Sequence, residues 1–166
     1  MNLEQLNSLN TEQAAHVFMQ CCTSSAWVEA MVQARPFDSR QSIARLADLS
    51  WQGLQESDYL EAFAGHPKIG DVNSLRAKYA NTKALAGNEQ KSVEVASDAV
   101  LEALAQGNRD YENKFGFIFI VFATGKSAKE MSELLQARLP NDRQTELVNA
   151  AEEQRKIFQL RLEKLL

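Results

Sequence analysis

The amino-acid sequence predicts an all-α fold, a single-domain bundle of about eight or nine helices over residues 1–166. Apolar residues recur at intervals of three and four through most of the chain, which is the spacing of helices that bury one face. Capping residues precede these runs, and Gly or Pro follows them. At 166 residues, with 45% hydrophobic and 24% charged residues, the chain is large enough to bury a core of its own.

The first helices are marked by residues that cap helix N-termini. The run Asn10–Gln13 has the pattern of a capping box and predicts a helix that begins there. Ser24 opens a second helix, which we expect to end before Pro36. A third helix is expected to begin at Asp38 or Ser39.

The next segment places a histidine where core packing explains it poorly. A helix capped by Ser57 is expected to end at Gly65, and Pro67 keeps His66 from continuing it. Loops that hold one titratable ring between Gly and Pro are typical of binding and catalytic sites. The alternative, an ordinary histidine of a surface loop, stays open on this observation alone.

The remaining chain is expected to be helical with one exception. Helices are predicted over 72–79, from Asn88 to Gly107 with a further turn or two at 108–114, over 127–139 and over 141–165. The exception, Phe115–Ala123, has the composition of a buried strand, yet no other stretch could pair with it. It is either a very apolar helix or a partly extended segment whose amides are free to bind a ligand.

Arg161 is an anomaly in the last predicted helix. It shares one face with Leu147, Ala150, Gln154, Ile157 and Leu165. A guanidinium at a core-facing position is costly unless it meets a carboxylate or an anionic ligand. Arg161 is therefore either a bidentate anchor for such a ligand or an arginine whose charged end reaches solvent near the helix end.

Glu89 and Gln90 are further candidates, because they open a predicted helix directly after Ala86, Gly87 and Asn88. Backbone amides at a helix N-terminus lack partners within the helix and are available to a ligand. The alternative is an acidic residue that stabilises the helix through its dipole.

Composition and motifs argue against several classes of function. The net charge of −4, without a basic stripe, argues against nucleic-acid binding, and no apolar run approaches the length of a membrane span. The N-terminus lacks the features of a signal peptide, so we expect a cytoplasmic protein. The adjacent Cys21 and Cys22 are expected to be small buried hydrophobes. With two scattered histidines they are too few for a zinc site, so no metal is expected.

Over most of its length the chain resembles the 2-oxo-4-hydroxy-4-carboxy-5-ureidoimidazoline (OHCU) decarboxylase family of urate breakdown. Five segments in the right order carry the resemblance: Arg35–Phe37, Phe63–Gly70, Asn88–Gln90, Tyr111–Phe117 and Glu153–Leu162. The resemblance implies an all-α fold, in agreement with the periodicity. It also implies a homodimer, and Trp27 and Met31, which we expect to be exposed apolar residues, would be compatible with one.

The resemblance also implies roles for individual residues. His66 matches the catalytic proton donor, while Glu89 and Arg161 match the other charged residues of the site. The implied substrate-contacting positions are Pro67, Ala86, Gly87, Asn88, Glu89, Gln90, Phe119, Ile120, Val121, Phe122 and Ala123. Ala86 departs from the family, which usually has Ser there, so a hydroxyl contact is lost or replaced.

The implied activity is that of a carboxy-lyase that converts OHCU to (S)-allantoin, the last step from urate to allantoin in purine catabolism. No pyridoxal, thiamine or metal motif is present, so no cofactor is expected and the electron sink must belong to the substrate. The competing class is a non-enzymatic all-α module that binds a ureide or purine-derived ligand. A hydrolase of the ureide pathway is disfavoured, because the sequence lacks suitable metal ligands and a nucleophile.

Overall fold

The computed structural model of the chain describes residues 1–68, 71–85 and 97–166, with the backbone alone for 80–85. In these ranges the regular structure consists of nine α-helices, so the all-α prediction is confirmed. The helices are α1 (Leu3–Ser8), α2 (Thr11–Cys21), α3 (Ser25–Gln33), α4 (Arg40–Trp51), α5 (Glu56–Ala64), α6 (Val72–Leu85), α7 (Asp98–Phe115), α8 (Ala128–Arg138) and α9 (Arg143–Leu165). None of these described helices is both long and apolar enough to span a membrane.

The predicted starts of α2, α3, α4 and α8 carry side-chain caps. Asn10 Oδ1 accepts a hydrogen bond from the Gln13 N–H at 2.8 Å, and Gln13 Oε1 accepts one from the Asn10 N–H at 3.1 Å. This reciprocal pair is the predicted capping box. The side chains of Ser24, Ser39 and Ser127 cap α3, α4 and α8. These helices therefore begin where the local sequence places them.

Other boundaries differ from the predictions. The N-cap residue of α5 is Gln55 rather than Ser57, because the Gln55 N–H donates to the Asp58 side chain at 3.0 Å in a capping-box arrangement. Helix α6 continues to Leu85, beyond the predicted end at 79. Helix α1 has no counterpart in the sequence prediction, although Asn2 caps it.

The predicted helix end at Gly107 is wrong, because α7 runs through it to Phe115. Gly107 is buried, and a Cβ added there would lie 2.5 Å from Leu135 Cδ2 on α8. This glycine therefore allows α7 and α8 to pack closely, which is a packing role rather than a helix stop. The predicted start of this helix at Asn88 lies outside the described residues.

The described chain forms two compact units. The first contains Met1–His66, Ile120–Phe122 and Asn149–Leu166, and the second contains Pro67–Phe119 and Ala123–Val148. Within the first unit α3 packs against α2, α4 and α5, and within the second α7 packs against α6 and α8. A single domain over residues 1–166 stays a prediction.

Trp27 belongs to the core of the first unit. Its ring centroid is 6.1 Å from that of Phe18 and 4.9 Å from that of Phe158, and its Nε1–H donates to the Ala47 carbonyl at 3.0 Å. Trp27 and Met31 are both fully buried. They therefore contribute no exposed apolar surface to a dimer interface, and the expectation that they are exposed is wrong.

The second unit contains a buried carboxylate that is fully supplied with donors. Glu146 is 0% exposed and accepts hydrogen bonds from Tyr111 Oη at 2.6 Å, Arg138 Nε at 2.6 Å and Asn141 Nδ2 at 2.9 Å. Burial raises the pKa of Tyr111, so its hydroxyl remains a neutral donor. Paired in this way, a buried charge is tolerated. The cluster joins α7, α8 and the start of α9.

The apolar segment after α7 is not a helix. The C-cap residue of α7 is Gly116, whose φ of +81° favours glycine. From Gly116 to Ser127 the chain is neither helix nor strand. Of the two alternatives for Phe115–Ala123, the very apolar helix is therefore wrong beyond Phe115, the last residue of α7.

The C-terminal end of α5 lies close to Thr23. Thr23 Oγ1 lies 3.3 Å from each of the Glu61 and Ala62 carbonyl oxygens, which accept its hydrogen bonds. A Cβ added at Gly65 would lie 2.0 Å from Thr23 Oγ1 and 2.7 Å from Thr23 Cβ. Glycine at 65 therefore permits the close approach that sets the position of the following residue, His66.

We expect Gly65→Ala to lower the free energy of unfolding by about 1–3 kcal/mol, because the added methyl group overpacks the contact with Thr23. Denaturant unfolding measures this loss. In a Thr23→Ala background the loss is expected to be smaller, since Oγ1 and Cγ2 are gone. An equal loss in both backgrounds would contradict the role of the Thr23 contact.

Candidate active site

His66 lies on a tight turn at the end of α5. Gly65 is the C-cap residue, with its N–H on the Ala62 carbonyl at 3.2 Å, and the His66 N–H donates to the Phe63 carbonyl at 3.2 Å. Pro67 follows, so the helix stops here as the sequence predicts. The backbone of His66 is thereby hydrogen-bonded to α5, although His66 itself lies outside the helix.

The ring of His66 contacts Gln154 on α9. Its Nε2 lies 2.5 Å from Gln154 Oε1. Gln154 is 0% exposed, and its own Nε2 has no hydrogen-bond partner among the described residues. The ring is therefore held by a side chain that belongs to the buried face of α9.

Arg161 does not lie on the core-facing line that the sequence predicts. Ala150, Gln154, Phe158 and Leu162 recur at steps of four and are buried, whereas Arg161 is exposed. The reason is geometric, because one residue turns the helix by about 100° and Arg161 is one residue away from Leu162.

The guanidinium of Arg161 contacts the end of α2. Its Nη1 donates to the carbonyl of Cys21, the last residue of that helix, at 3.2 Å. A cation is favoured there, because the C-terminal end of a helix carries partial negative charge. Nε and Nη2 have no hydrogen-bond partner within the described part of the chain. Arg161 is therefore exposed near the end of its helix, as in the second of the two alternatives drawn from the sequence. Its remaining N–H groups are available to bind an anion.

Burial and charge act together on His66. Burial lowers the pKa of the ring, the hydrogen bond that the ring donates to Gln154 raises it in part, and the positive charge of Arg161 lowers it again. The net effect is a pKa below the ordinary value of 6.5. His66 and Arg161 thus share one electrostatic environment within the first unit.

The two cysteines beside Arg161 are neutral thiols. Burial raises the pKa of Cys21 to about 11 and that of Cys22 to about 12, although the charge of Arg161 opposes the shift in both. Because the thiolate is the reactive form, neither side chain serves as a nucleophile at neutral pH. Both are free and buried, as the sequence predicts.

The predicted substrate-contacting segment is divided between the two units. Ile120–Phe122 belong to the first unit with His66 and Arg161, whereas Pro67, Phe119 and Ala123 belong to the second. The Phe122 N–H donates to Glu153 Oε1 at 3.3 Å, so this amide is already bonded. Phe119 and Ile120 are buried. The predicted contacts at Ala86, Gly87, Asn88, Glu89 and Gln90 lie outside the described residues.

Two site residues are absent from the sequence prediction of the site. Gln154 lies on the predicted apolar stripe of the last helix, and a polar residue on such a stripe is the signal that could have identified it. Glu153, which accepts the hydrogen bond of the Phe122 amide, is a half-buried residue of the same helix. Nothing in the sequence pattern around it indicates a site residue.

The arrangement suits proton transfer to an anion. Within the described ranges, no three His, Cys, Asp or Glu side chains are grouped so that they could hold a metal ion. A histidine whose ring is oriented by a hydrogen bond can give or take a proton, and a nearby guanidinium can bind a carboxylate in two-pronged fashion. The two groups together are suited to binding an anionic ligand and protonating it.

Comparisons with known proteins point to one family. A family model described as OHCU decarboxylase matches residues 7–163. An OHCU decarboxylase of Halalkalicoccus jeotgali is 25% identical over 99% of this chain and 92% of its own length. The uric acid degradation bifunctional protein TTL of Arabidopsis thaliana is 35% identical over 87% of this chain, and the match spans 45% of that longer protein.

Solved structures agree with this match. A crystal structure of OHCU decarboxylase in the presence of (S)-allantoin superposes with a TM-score of 0.72 at 33% identity, covering 95% of this chain and 98% of the other. A crystal structure of (S)-allantoin synthase gives a TM-score of 0.74 at 18% identity, over 99% of this chain and 54% of the other. At that identity the second match concerns the fold alone.

The lowered pKa of His66 predicts a pH-dependent stability. Between the folded pKa and the unfolded value near 6.5, the unfolded chain binds a proton that the folded chain does not. We therefore expect the free energy of unfolding to fall more steeply in the wild type than in His66→Asn as the pH drops from about 7 to about 5.

Urea unfolding at a series of pH values measures this difference. His16→Asn is the matched control, because His16 is exposed and contacts only Gln20 on its own helix among the described residues. Equal slopes for the wild type and His66→Asn would contradict a lowered pKa of His66.

Proposed function

Because the chain belongs to the OHCU decarboxylase family, we propose that it converts OHCU to (S)-allantoin by decarboxylation without a cofactor. This would be the last step in the conversion of urate to allantoin. The observation that carries the proposal is the His66 ring, held by Gln154 and under the charge of Arg161, in a chain that the family model spans almost entirely.

For this decarboxylation the protein has to bind the substrate, stabilise negative charge and deliver one proton. Loss of carbon dioxide from the substrate carboxylate leaves an electron pair, which the adjacent unsaturated ring can take up. A proton delivered to one face then completes the product. Oriented donors and fixed charges lower the barrier to such a step without a cofactor.

In this proposal His66 is the general acid. Its lowered pKa makes the imidazolium a stronger acid than an ordinary histidine. A bound anion near the ring would favour the protonated form before the reaction, because an opposite charge stabilises it. The ring is therefore able to take up its proton with substrate bound and to give it up afterwards.

In this proposal Arg161 binds the substrate anion and stabilises negative charge that develops on oxygen. Support comes from its exposed guanidinium, whose Nη1 alone has a hydrogen-bond partner among the described residues. Glu89, by family resemblance, orients N–H groups of the ring or the ureido group. Pro67, the segment Ala86–Gln90 and the segment Phe119–Ala123 are proposed substrate contacts on the same ground.

A cytoplasmic location and a homodimer are further parts of the proposal. The free, buried Cys21 and Cys22 fit a reducing compartment. A dimer interface would have to use residues other than Trp27 and Met31, because both are buried.

We expect His66→Asn to lower the rate of (S)-allantoin formation by about 100-fold or more, because the amide of Asn is too weak an acid to deliver a proton. OHCU is generated in situ from urate with urate oxidase and hydroxyisourate hydrolase, and time-resolved circular dichroism follows the chiral product. His16→Asn is the control and is expected to retain wild-type turnover. Near-normal turnover by His66→Asn would remove His66 from the role of proton donor.

The same assay separates the enzyme from the competing class. If the wild type does not accelerate (S)-allantoin formation over spontaneous decay, the decarboxylase proposal fails. A ligand-binding module would then be favoured if the protein still binds allantoin or a related ureide in calorimetry.

We expect Arg161→Lys to lower kcat/KM by more than about tenfold, because an ammonium cannot donate two parallel hydrogen bonds to a carboxylate. The matched control is Arg155→Lys on the same helix, where the guanidinium contacts Glu152 at 2.9 Å and Asp48 at 3.4 Å. That control is expected to leave kcat/KM within about threefold of wild type. A loss below tenfold in Arg161→Lys would count against anchoring.

A further inference from the structure

The amide of Gln154 has one partner where it could have several. Its oxygen contacts His66 Nε2 at 2.5 Å, and its nitrogen is buried without a hydrogen-bond partner in the part of the chain that the structure describes. Buried amide nitrogens in folded proteins are normally paired, because an unmade hydrogen bond destabilises the fold. A leucine would fill this position between Ala150 and Phe158 and would place no unpaired amide nitrogen in the core; only the hydrogen bond to His66 would be lost. Core packing therefore does not explain why residue 154 is a glutamine.

We propose that Gln154 is a positioning residue for the decarboxylation: its carbonyl oxygen binds the Nε2–H of His66 and leaves Nδ1 as the nitrogen that delivers the proton. This inference rests on the proposed function, since it assigns the atom through which His66 acts. Gln154 acts through the histidine and does not itself contact the reacting atoms.

The first argument is the chemistry of the two partners. A glutamine oxygen only accepts hydrogen bonds, so the ring nitrogen that it contacts must carry a proton in the neutral and in the charged ring. His66 Nδ1 has no hydrogen-bond partner among the described residues. In the imidazolium both nitrogens carry protons, and of the two only the proton on Nδ1 lacks a hydrogen-bond partner in the described part of the chain.

The second argument follows the proton through the reaction. When Nδ1–H gives its proton to the substrate carbon, the bonding electrons stay on Nδ1 and the ring becomes neutral. The Nε2–H bond to Gln154 is unchanged, so nothing in the site has to rearrange. Delivery from Nε2 would instead leave its lone pair facing the lone pairs of Gln154 Oε1, and the amide would have to turn within the core.

The third argument is rigidity. Gln154 is fully buried between Ala150 and Phe158, which are themselves 0% exposed. Its amide is therefore fixed by the packing of α9, whereas the ring of His66 is only partly buried. A fixed acceptor on a rigid element holds a catalytic ring more accurately than a loop can alone.

The test compares turnover with stability in two variants. In Gln154→Leu we expect kcat to fall by about 10- to 100-fold with little change in KM, because the ring loses its orientation while the binding groups remain. Its melting temperature is expected to change little, because the lost hydrogen bond to His66 is offset by the removal of a buried amide nitrogen that has no partner among the described residues.

Gln159→Leu is the matched control on the same helix. The Gln159 amide donates to the Ala44 carbonyl at 2.9 Å and to Asp48 Oδ1 at 2.7 Å, away from His66. We expect this control to lower the melting temperature and to leave kcat at the wild-type value. Unchanged kcat in Gln154→Leu, or a loss of kcat that only follows a loss of stability in both variants, would overturn the proposal.

A second measurement does not depend on the reaction. The chain has two histidines, so the ¹⁵N chemical shifts of the ring nitrogens are assignable, with His16→Asn removing the second set of signals. At a pH of about 8, above the ordinary histidine pKa, we expect His66 to be a single neutral tautomer protonated at Nε2. In Gln154→Leu the shifts are expected to move towards those of a mixture of the two neutral tautomers.

The two measurements keep the failures apart. A wild-type His66 protonated at Nδ1 would mean that the amide presents its nitrogen to the ring, and the proposal would be wrong. Wild-type shifts in Gln154→Leu would overturn it as well. If the wild type did not accelerate (S)-allantoin formation, the proposed function would be wrong. The ¹⁵N shifts would still test the tautomer of His66 independently.

Discussion

The candidate site depends on the hydrogen bond between His66 Nε2 and Gln154 Oε1. It connects the turn after α5 with the buried face of α9. The turn is positioned by the approach of Gly65 to Thr23, and α9 is anchored in the core through Phe158. The orientation of a partly exposed ring is thus determined by the packing of the first unit, which is how a rigid core transmits accuracy to a functional group.

Two buried polar side chains of α9 illustrate different uses of polarity. Glu146 has three donors at 2.6–2.9 Å and joins three elements of the second unit. Within the described ranges Gln154 has one partner, and its nitrogen is unpaired. A fully bonded cluster stabilises and specifies packing, whereas an incompletely bonded group is better explained by the partner that it orients. The contrast is visible only once the hydrogen bonds are known.

Much of the fold could be predicted, because helix starts depend on neighbouring residues. The Asn10–Gln13 capping box and the caps at Ser24, Ser39 and Ser127 join residues three positions apart. Gly107 was assigned wrongly for the opposite reason, since its role is set by Leu135 on another helix. The sequence alone does not distinguish a glycine that ends a helix from one that admits a neighbour.

By itself the sequence determined the helical class, most helix starts, the bend at His66 and the resemblance that points to a decarboxylase. The roles of Glu89 and of the segment Ala86–Gln90 stay predictions. Only the tertiary structure decided that Gln154 holds the ring, that Arg161 is exposed beside the end of α2, and that Trp27 is buried. The physical reason is range: caps and periodicity arise within one helical turn, whereas these contacts join residues that only packing brings together.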